Sequence, residues 1–315
     1  MPYLKRQTDP WVRYGVETDL LGKSTESASA RSLREDILKD PRIEAIISDC
    51  LCWPGAPIRR HSDSGHILHK IAFLADIGLT TEEQPIRLIA DRLLGHRSEE
   101  GALQSNLLIP KAFGGSGDER LGWITCDAPT LIYSLLRFGV VNSGIDAALE
   151  HALSLVRDSG FPCRSSFPGF YGPGRRDEHC PYANLVLLKA LAFAPDHRDS
   201  WEAERCVEAQ LRRWENRGGK KIFMFGIGST FAKLKYPLVW HDVLHGTDVI
   251  SRFDAALGDP RFEEMLSVLP PKQTEDGGFT PESMYLPWKG WSGGQKKTPC
   301  SGITYKVASA FRRAS

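Results

Sequence analysis

What most constrains this chain is an alternation of two kinds of helical segment. Apolar runs with helical periodicity recur at residues 10–22 (PWVRYGVETDLLG), 65–78 (GHILHKIAFLADIG), 127–139 (DAPTLIYSLLRFG), 180–192 (CPYANLVLLKALA), 236–253 (YPLVWHDVLHGTDVISRF) and 298–311 (TPCSGITYKVASAF), while β-type alternation is almost absent. Between them lie more charged, amphipathic stretches around residues 32–47, 82–94, 146–157, 200–214 and 259–269. An apolar helix buried on most of its surface, alternating with one apolar along a single stripe, requires two concentric layers. The pattern predicts an all-α chain: one domain over residues 1–315, an α/α toroid of about six helical hairpins around a central cavity, with the apolar set as the inner ring. Hydrophobic residues at 41% and charged residues at 25% supply enough core for such a fold.

Local punctuation agrees with these boundaries. Pro129, Pro181, Pro237 and Pro299 stand where a first helical turn tolerates proline, and Gly78, Gly95, Gly139 and Gly160 stand where helices end. Four long connections, at about residues 101–125, 161–179, 217–235 and 277–297, all lead into inner helices and should gather at one rim. The N-terminus lacks the apolar region of a signal peptide, and no apolar run reaches the roughly eighteen residues of a membrane span. Seven cysteines, an odd number without paired spacing, suit reduced thiols. Together these predict a cytoplasmic, non-spanning protein. A net charge of +1 argues against nucleic acid as a partner.

The segment QTEDGGF resembles the tail of the QW repeat of squalene and oxidosqualene cyclases, with Gln273, Gly277 and Phe279 on its three positions. FGGSGDERLGW (113–123) and LVRDSGF (155–161) look like weaker versions of it. WITCDAPTLIYSLL, GPGRRDEHCPYANLVLLKAL, LKYPLVWHDVLHGTDVISRF and DGGFTPESMYLPWKGW resemble a group of prokaryotic toroid proteins usually left without an assigned activity, and this likeness spans most of the chain. The two resemblances imply the α/α toroid of terpenoid cyclases and protein prenyltransferases. They imply no reaction, since the D-x-D-D acid of class II cyclases has no match, nor has the Asp-x-Cys with downstream His that holds zinc in prenyltransferases.

Candidate site residues come from the loops and the inner helices they feed. Basic pairs stand at Arg59/Arg60, Arg175/Arg176, Lys233/Lys235 and Lys296/Lys297, where they would join the positive ends of inner-helix dipoles to hold an anion; the ordinary alternative is solvated loop charge. His241, His245 and Asp248 have the spacing of one helix face, with Asp242 three residues before His245, so the histidines and a carboxylate could converge as metal ligands, or Asp242 and His245 are acid/base candidates or a structural pair. Asp127 is a general-acid candidate if aimed into an apolar cavity, or simply an N-cap. His66 and His69 either line the same mouth or sit satisfied in the core. Cys126 and Cys180 begin inner helices, where a dipole lowers a thiol pKa, but chain order names no partner for either. Trp240 is among the aromatics clustered near the helix starts, suited to an apolar ligand or to packing. No metal is assigned, and no cofactor is identified.

The reading that unites these features is a cavity enzyme of isoprenoid type, possessing catalytic Asp127, Asp242 and His245, with Arg175, Arg176, Lys233, Lys235, His69 and Trp240 binding a small apolar or anionic ligand in the central cavity. The alternatives are a non-catalytic toroid that binds a peptide, lipid or partner protein, and a carbohydrate-processing toroid with rim carboxylates.

Overall fold

A computed structural model describes residues 2–170, 172, 179–218 and 230–315. Among the described residues the fold is all-α apart from one short hairpin. A helical turn, α1 (Pro2–Lys5), precedes α2 (Pro10–Gly15), which is prolonged by a π-helical turn over Val16–Leu20. There follow α3 (Ala28–Leu38), α4 (Pro41–Cys50), α5 (Ile67–Asp76), α6 (Gln84–Leu94), α7 (Ala128–Arg137), α8 (Ser143–Ser154), α9 (Pro181–Leu191), α10 (Trp201–Glu215), α11 (Val243–Ile250), α12 (Pro260–Ser267) and α13 (Ser301–Ala314).

The two layers differ in burial as their composition requires. Every residue of α9 and α11 is buried, whereas α6 buries only Ile86, Ile89, Ala90 and Leu93, a single helical stripe. In the inner layer α5 packs on α7, α7 on α9, α9 on α11, α11 on α13 and α13 on α2. The ring closes where Tyr14, at the end of α2, lies against Gly78 just beyond α5. Gly78 has φ +88°, and a Cβ there would come within 2.0 Å of the Tyr14 ring, so both the backbone and the close approach require glycine.

Three local expectations are corrected. The charged stretch at residues 32–47 is two helices, because Asp40 and Pro41 start a new one: the Asp40 carboxylate caps the Arg42 N–H at 2.9 Å. The fifth inner helix begins at Val243, not near Tyr236, with Asp242 as its N-cap, so His241 lies ahead of the helix and does not share a helical face with His245 and Asp248. Within residues 101–125 the chain forms an antiparallel hairpin, β1 (Ser105–Leu108) with β2 (Glu119–Gly122), tethered by the Ile58 N–H to the Asn106 carbonyl at 2.8 Å.

All inner helices point the same way, and their two ends are filled differently. At the C-terminal end Asp76 of α5 meets Tyr133 of α7 and Lys189 of α9, the last at 3.0 Å. Asp248 of α11 meets Arg313 at 2.8 Å and Lys306 at 3.8 Å, both on α13, and Asp19 accepts a hydrogen bond from Tyr305. An aromatic cluster packs where α2 and α5 meet: Trp288 and Trp291, from the segment before α13, pack on Phe73 of α5 with ring centroids 4.7 and 5.2 Å away, and Trp291 also meets Trp11 of α2. Open space remains at the N-terminal mouth.

Candidate functional site

A cavity of about 360 Å³ opens at the N-terminal ends of α7 and α9. Ile58, Arg59, Arg60 and His61 line it from the segment before α5, Leu107 to Pro110 and Phe113 from the hairpin region, and Ile124, Cys126, Cys163, Phe170, Cys180 and Trp240 from the segments around the inner-helix starts. The walls are mainly apolar, with arginines, one histidine and three thiols set into them.

Asp127 stands immediately before α7 but caps nothing: its side chain makes no hydrogen bond to the helix N-terminus. Its fully buried carboxyl reaches across to His61, with Oδ1 at 2.8 Å from Nδ1, and Oδ2 has no hydrogen-bond partner. A buried carboxyl oxygen without a partner is costly, and a plain capping aspartate would not incur that cost. Burial pulls the His61 pKa down, but the adjacent Asp127 carboxylate outweighs it and the net direction is up. His69 is buried, and its Nε2 donates to the His61 carbonyl at 2.7 Å. Burial lowers its pKa to about 4, so it stays neutral and holds the His61 backbone in place.

Three cysteines meet in the lining of the same cavity. Cys126 precedes α7, Cys180 is the N-cap of α9, and Cys163 comes from the connection between α8 and α9. The Cys180 N–H bonds the Phe161 carbonyl at 2.9 Å, which draws the two stretches together. The Cys126 and Cys180 sulfurs are 3.9 Å apart, and all three Sγ atoms lie within 4.8 Å of one another. Among the described residues this is the one group of three or more His, Cys, Asp or Glu side chains whose donor atoms lie close enough to share a metal ion. Hydrogen bonds from Cys126 and Cys163 hold the Cys180 thiol well below its ordinary value, while Cys126 is pushed up. The backbone makes room for this: Gly172 has φ +62°, and a Cβ there would sit 2.9 Å from the Cys163 sulfur.

The remaining candidates fall elsewhere. Asp242 is fully buried, accepts the His245 N–H at 3.0 Å and faces Lys235 Nζ at 3.7 Å. Burial raises its pKa to about 6 despite Lys235. His245 is buried deeper in the ring, with Nδ1 3.1 Å from the Trp240 carbonyl; burial and the Lys189 charge lower its pKa to about 3. None of Asp127, Asp242 and His245 is itself among the residues that line the mouth cavity, and Asp127 meets it only through His61; Trp240 does line it, near Tyr182 with ring centroids 4.5 Å apart. Lys235 is therefore a buried partner of Asp242 rather than a free rim charge, and Lys233 is half-buried beside it. Arg175 and Arg176 lie outside the described residues. His61 and Cys163, which sequence reasoning did not select, belong to the site. The usable signal was the matched position of Cys126 and Cys180, each at the start of a proline-initiated inner helix.

No family model matches the chain, and no curated protein matches it in sequence. Solved structures do resemble it. Type II terpene cyclase MstE from Scytonema, a variant in complex with geranylgeranyl dihydroxybenzoate, shares 14% identity over 97% of this chain and 87% of its own, with a TM-score of 0.45. The apo form gives 15% identity, coverage of 96% and 87%, and a TM-score of 0.45; a variant with merosterolic acid A gives 13%, 97% and 86%, and 0.43.

Proposed function

We propose that this chain is a cavity enzyme that performs proton-transfer chemistry on a small apolar substrate of isoprenoid type with a polar or anionic head. The observation that carries this reading is that His61, on the wall of an apolar cavity, is paired with a buried, non-capping Asp127 behind it. A volume of about 360 Å³ is at the small end of the roughly 300–1,000 Å³ usual for ligand pockets, which favours a short branched hydrocarbon over a long polyene. Arg59 and Arg60 stand exposed at the cavity and suit a carboxylate or diphosphate head.

His61 is the residue that exchanges the proton, and Asp127 orients its ring and stabilises the imidazolium. An imidazolium is acidic enough to protonate an oxygen substituent and too weak to protonate an isolated alkene, so the reacting group is an oxygen function such as an epoxide, carbonyl or leaving alcohol. Trp240 supplies an aromatic wall for positive charge developing on carbon. Asp242 and His245 act one layer below, where Asp242 caps the helix that follows Trp240. The test is a binding and turnover series with prenyl alcohols and diphosphates of increasing chain length. Short chains should bind, Arg60→Ala should weaken the diphosphates but not the alcohols, and His61→Gln should abolish turnover while retaining binding. Binding of no apolar compound, or turnover that survives His61→Gln, refutes the reading.

A further inference from the structure

We propose that Cys126, Cys163 and Cys180 form a three-thiolate binding site for a soft divalent metal, zinc being the best match, with its fourth coordination position open to the mouth cavity. The proposal concerns the same cavity as the proposed function, but it stands on the sulfur geometry and needs no substrate.

The first argument is distance. A tetrahedral zinc with Zn–S bonds of about 2.3 Å places its sulfurs about 3.8 Å apart. Cys126 and Cys180 are already at 3.9 Å, and Cys163 lies within 4.8 Å of both, so only a small closure of one side chain is required. Three uncharged thiols gain little from being together, since S–H is a weak donor and S a weak acceptor. Yet three separate stretches of backbone are shaped to bring them there, including a positive-φ glycine packed on Cys163.

The second argument is charge. Three thiolates around a divalent cation carry a net charge near −1, which a purely apolar cavity would reject. Here the N-termini of α7 and α9 both point at the sulfurs, the Ala183 N–H lies 3.4 Å from Cys180 Sγ, and Arg59, Arg60 and His61 line the same cavity. Thiolate donors select zinc over the hard cations magnesium and calcium. Three protein ligands and one position facing a cavity are the arrangement of a zinc that polarises a bound water or substrate atom, whereas a structural zinc is closed by a fourth side chain. Cys126 and Cys180 are buried and Cys163 half-buried, so the open direction is the cavity side.

The test uses untagged, full-length protein purified under reducing, anaerobic conditions. Elemental analysis should find about one zinc per chain, or the metal-depleted protein should take up one equivalent of zinc. Cobalt in its place should give the intense sulfur-to-metal charge-transfer band and the visible bands of a tetrahedral thiolate site. Cys126→Ser, Cys163→Ser and Cys180→Ser should each weaken zinc at least tenfold in competition with a chromophoric chelator, and Cys206→Ser, a buried cysteine outside the cluster, should not. Circular dichroism establishes that each variant is folded, and the cobalt spectrum of the unaltered protein decides the matter if one is not. Failure to bind either metal while all three thiols react with a thiol reagent overturns the proposal. So does uptake that persists in the triple variant, or a Cys126–Cys180 disulfide in freshly prepared metal-free protein. Because the readout is metal alone, it is separable from the prenyl-ligand series: either can fail while the other holds.

Discussion

The two ends of the inner ring are built from the same helices and solve opposite problems. At the C-terminal end the carboxylates have partners: Asp76 has the Lys189 charge and the Tyr133 hydroxyl, Asp248 has Arg313, Lys306 and Arg252, and the more exposed Asp19 has the Tyr305 hydroxyl. Burial alone would raise the Asp248 pKa, yet the three cations hold it well below the usual carboxylate range. At the N-terminal mouth the ledger does not close. Asp127 leaves one oxygen without a partner, three thiols crowd together, and two arginines face an apolar cavity. Buried charges paired with opposite charge hold a fold together, whereas a buried carboxyl oxygen left unpartnered beside an open cavity keeps capacity for a further contact. The difference separates the part of the ring that keeps it closed from the part available for chemistry.

That comparison breaks first at Asp248. Asp248→Ala leaves Arg313, Lys306 and Arg252 around an empty position, and removing one member of a buried ion network costs about 3–5 kcal/mol. Asp127→Asn at the mouth, where one oxygen is already unpartnered, should cost less than half as much. Urea titrations of the two variants check this, and equal losses would mean that the mouth is as much a part of the scaffold as the network is.

Asp242 sharpens the comparison through pH. Its pKa is raised from 3.8 to about 6, first by burial, so between those values the folded protein binds more protons than the unfolded one. Its contribution is therefore present in full below about pH 4 and lost as pH rises through about 6. Asp76 and Asp248 have lowered values and work in the opposite sense, contributing above about pH 4 and losing that contribution in acid. Asp242→Asn keeps the cap on His245 but cannot ionise, so relative to the unaltered protein it should gain about 2–3 kcal/mol between pH 4 and 7. A stability difference that does not change with pH would place the charge of Asp242 in solvent or in a stronger pair with Lys235.

The ring itself was readable in the chain because burial on all sides and burial on one stripe leave different periodicities, as α9 and α6 show. The site was readable only in part. Asp127 was selected, but its partner was not, because His61 sits in an irregular stretch that no periodicity describes and reaches Asp127 only when α5 and α7 pack. The thiol cluster is assembled by the bonding of residue 180 to residue 161, so it carries no metal-ligand spacing along the chain. Placing His241 with His245 failed for a local reason. The N-cap role of Asp242 starts the helix after His241, and a helical wheel drawn from Tyr236 assumes a regularity that the Asp242 side chain ends.

The smallest effect on stability should fall on the arginines of the mouth, which makes it the sharpest separation of the two ends. Arg59 and Arg60 are exposed and have no ion-pair partner among the described residues, so the double change to alanine should alter unfolding by no more than about 0.5 kcal/mol. An anionic head held there meets both guanidinium groups and the N-terminal ends of α7 and α9. Each exposed charge pair contributes up to about 1 kcal/mol, so the double variant should bind a short prenyl diphosphate roughly five- to thirtyfold more weakly. The same affinity should fall as salt rises, because the pairing is open to solvent, and the salt dependence should flatten in the variant. Calorimetric titrations at low and high salt, run beside urea melts of the same preparations, read both quantities. A variant that loses stability but not affinity would place the arginines in the scaffold and leave the mouth without an anion site.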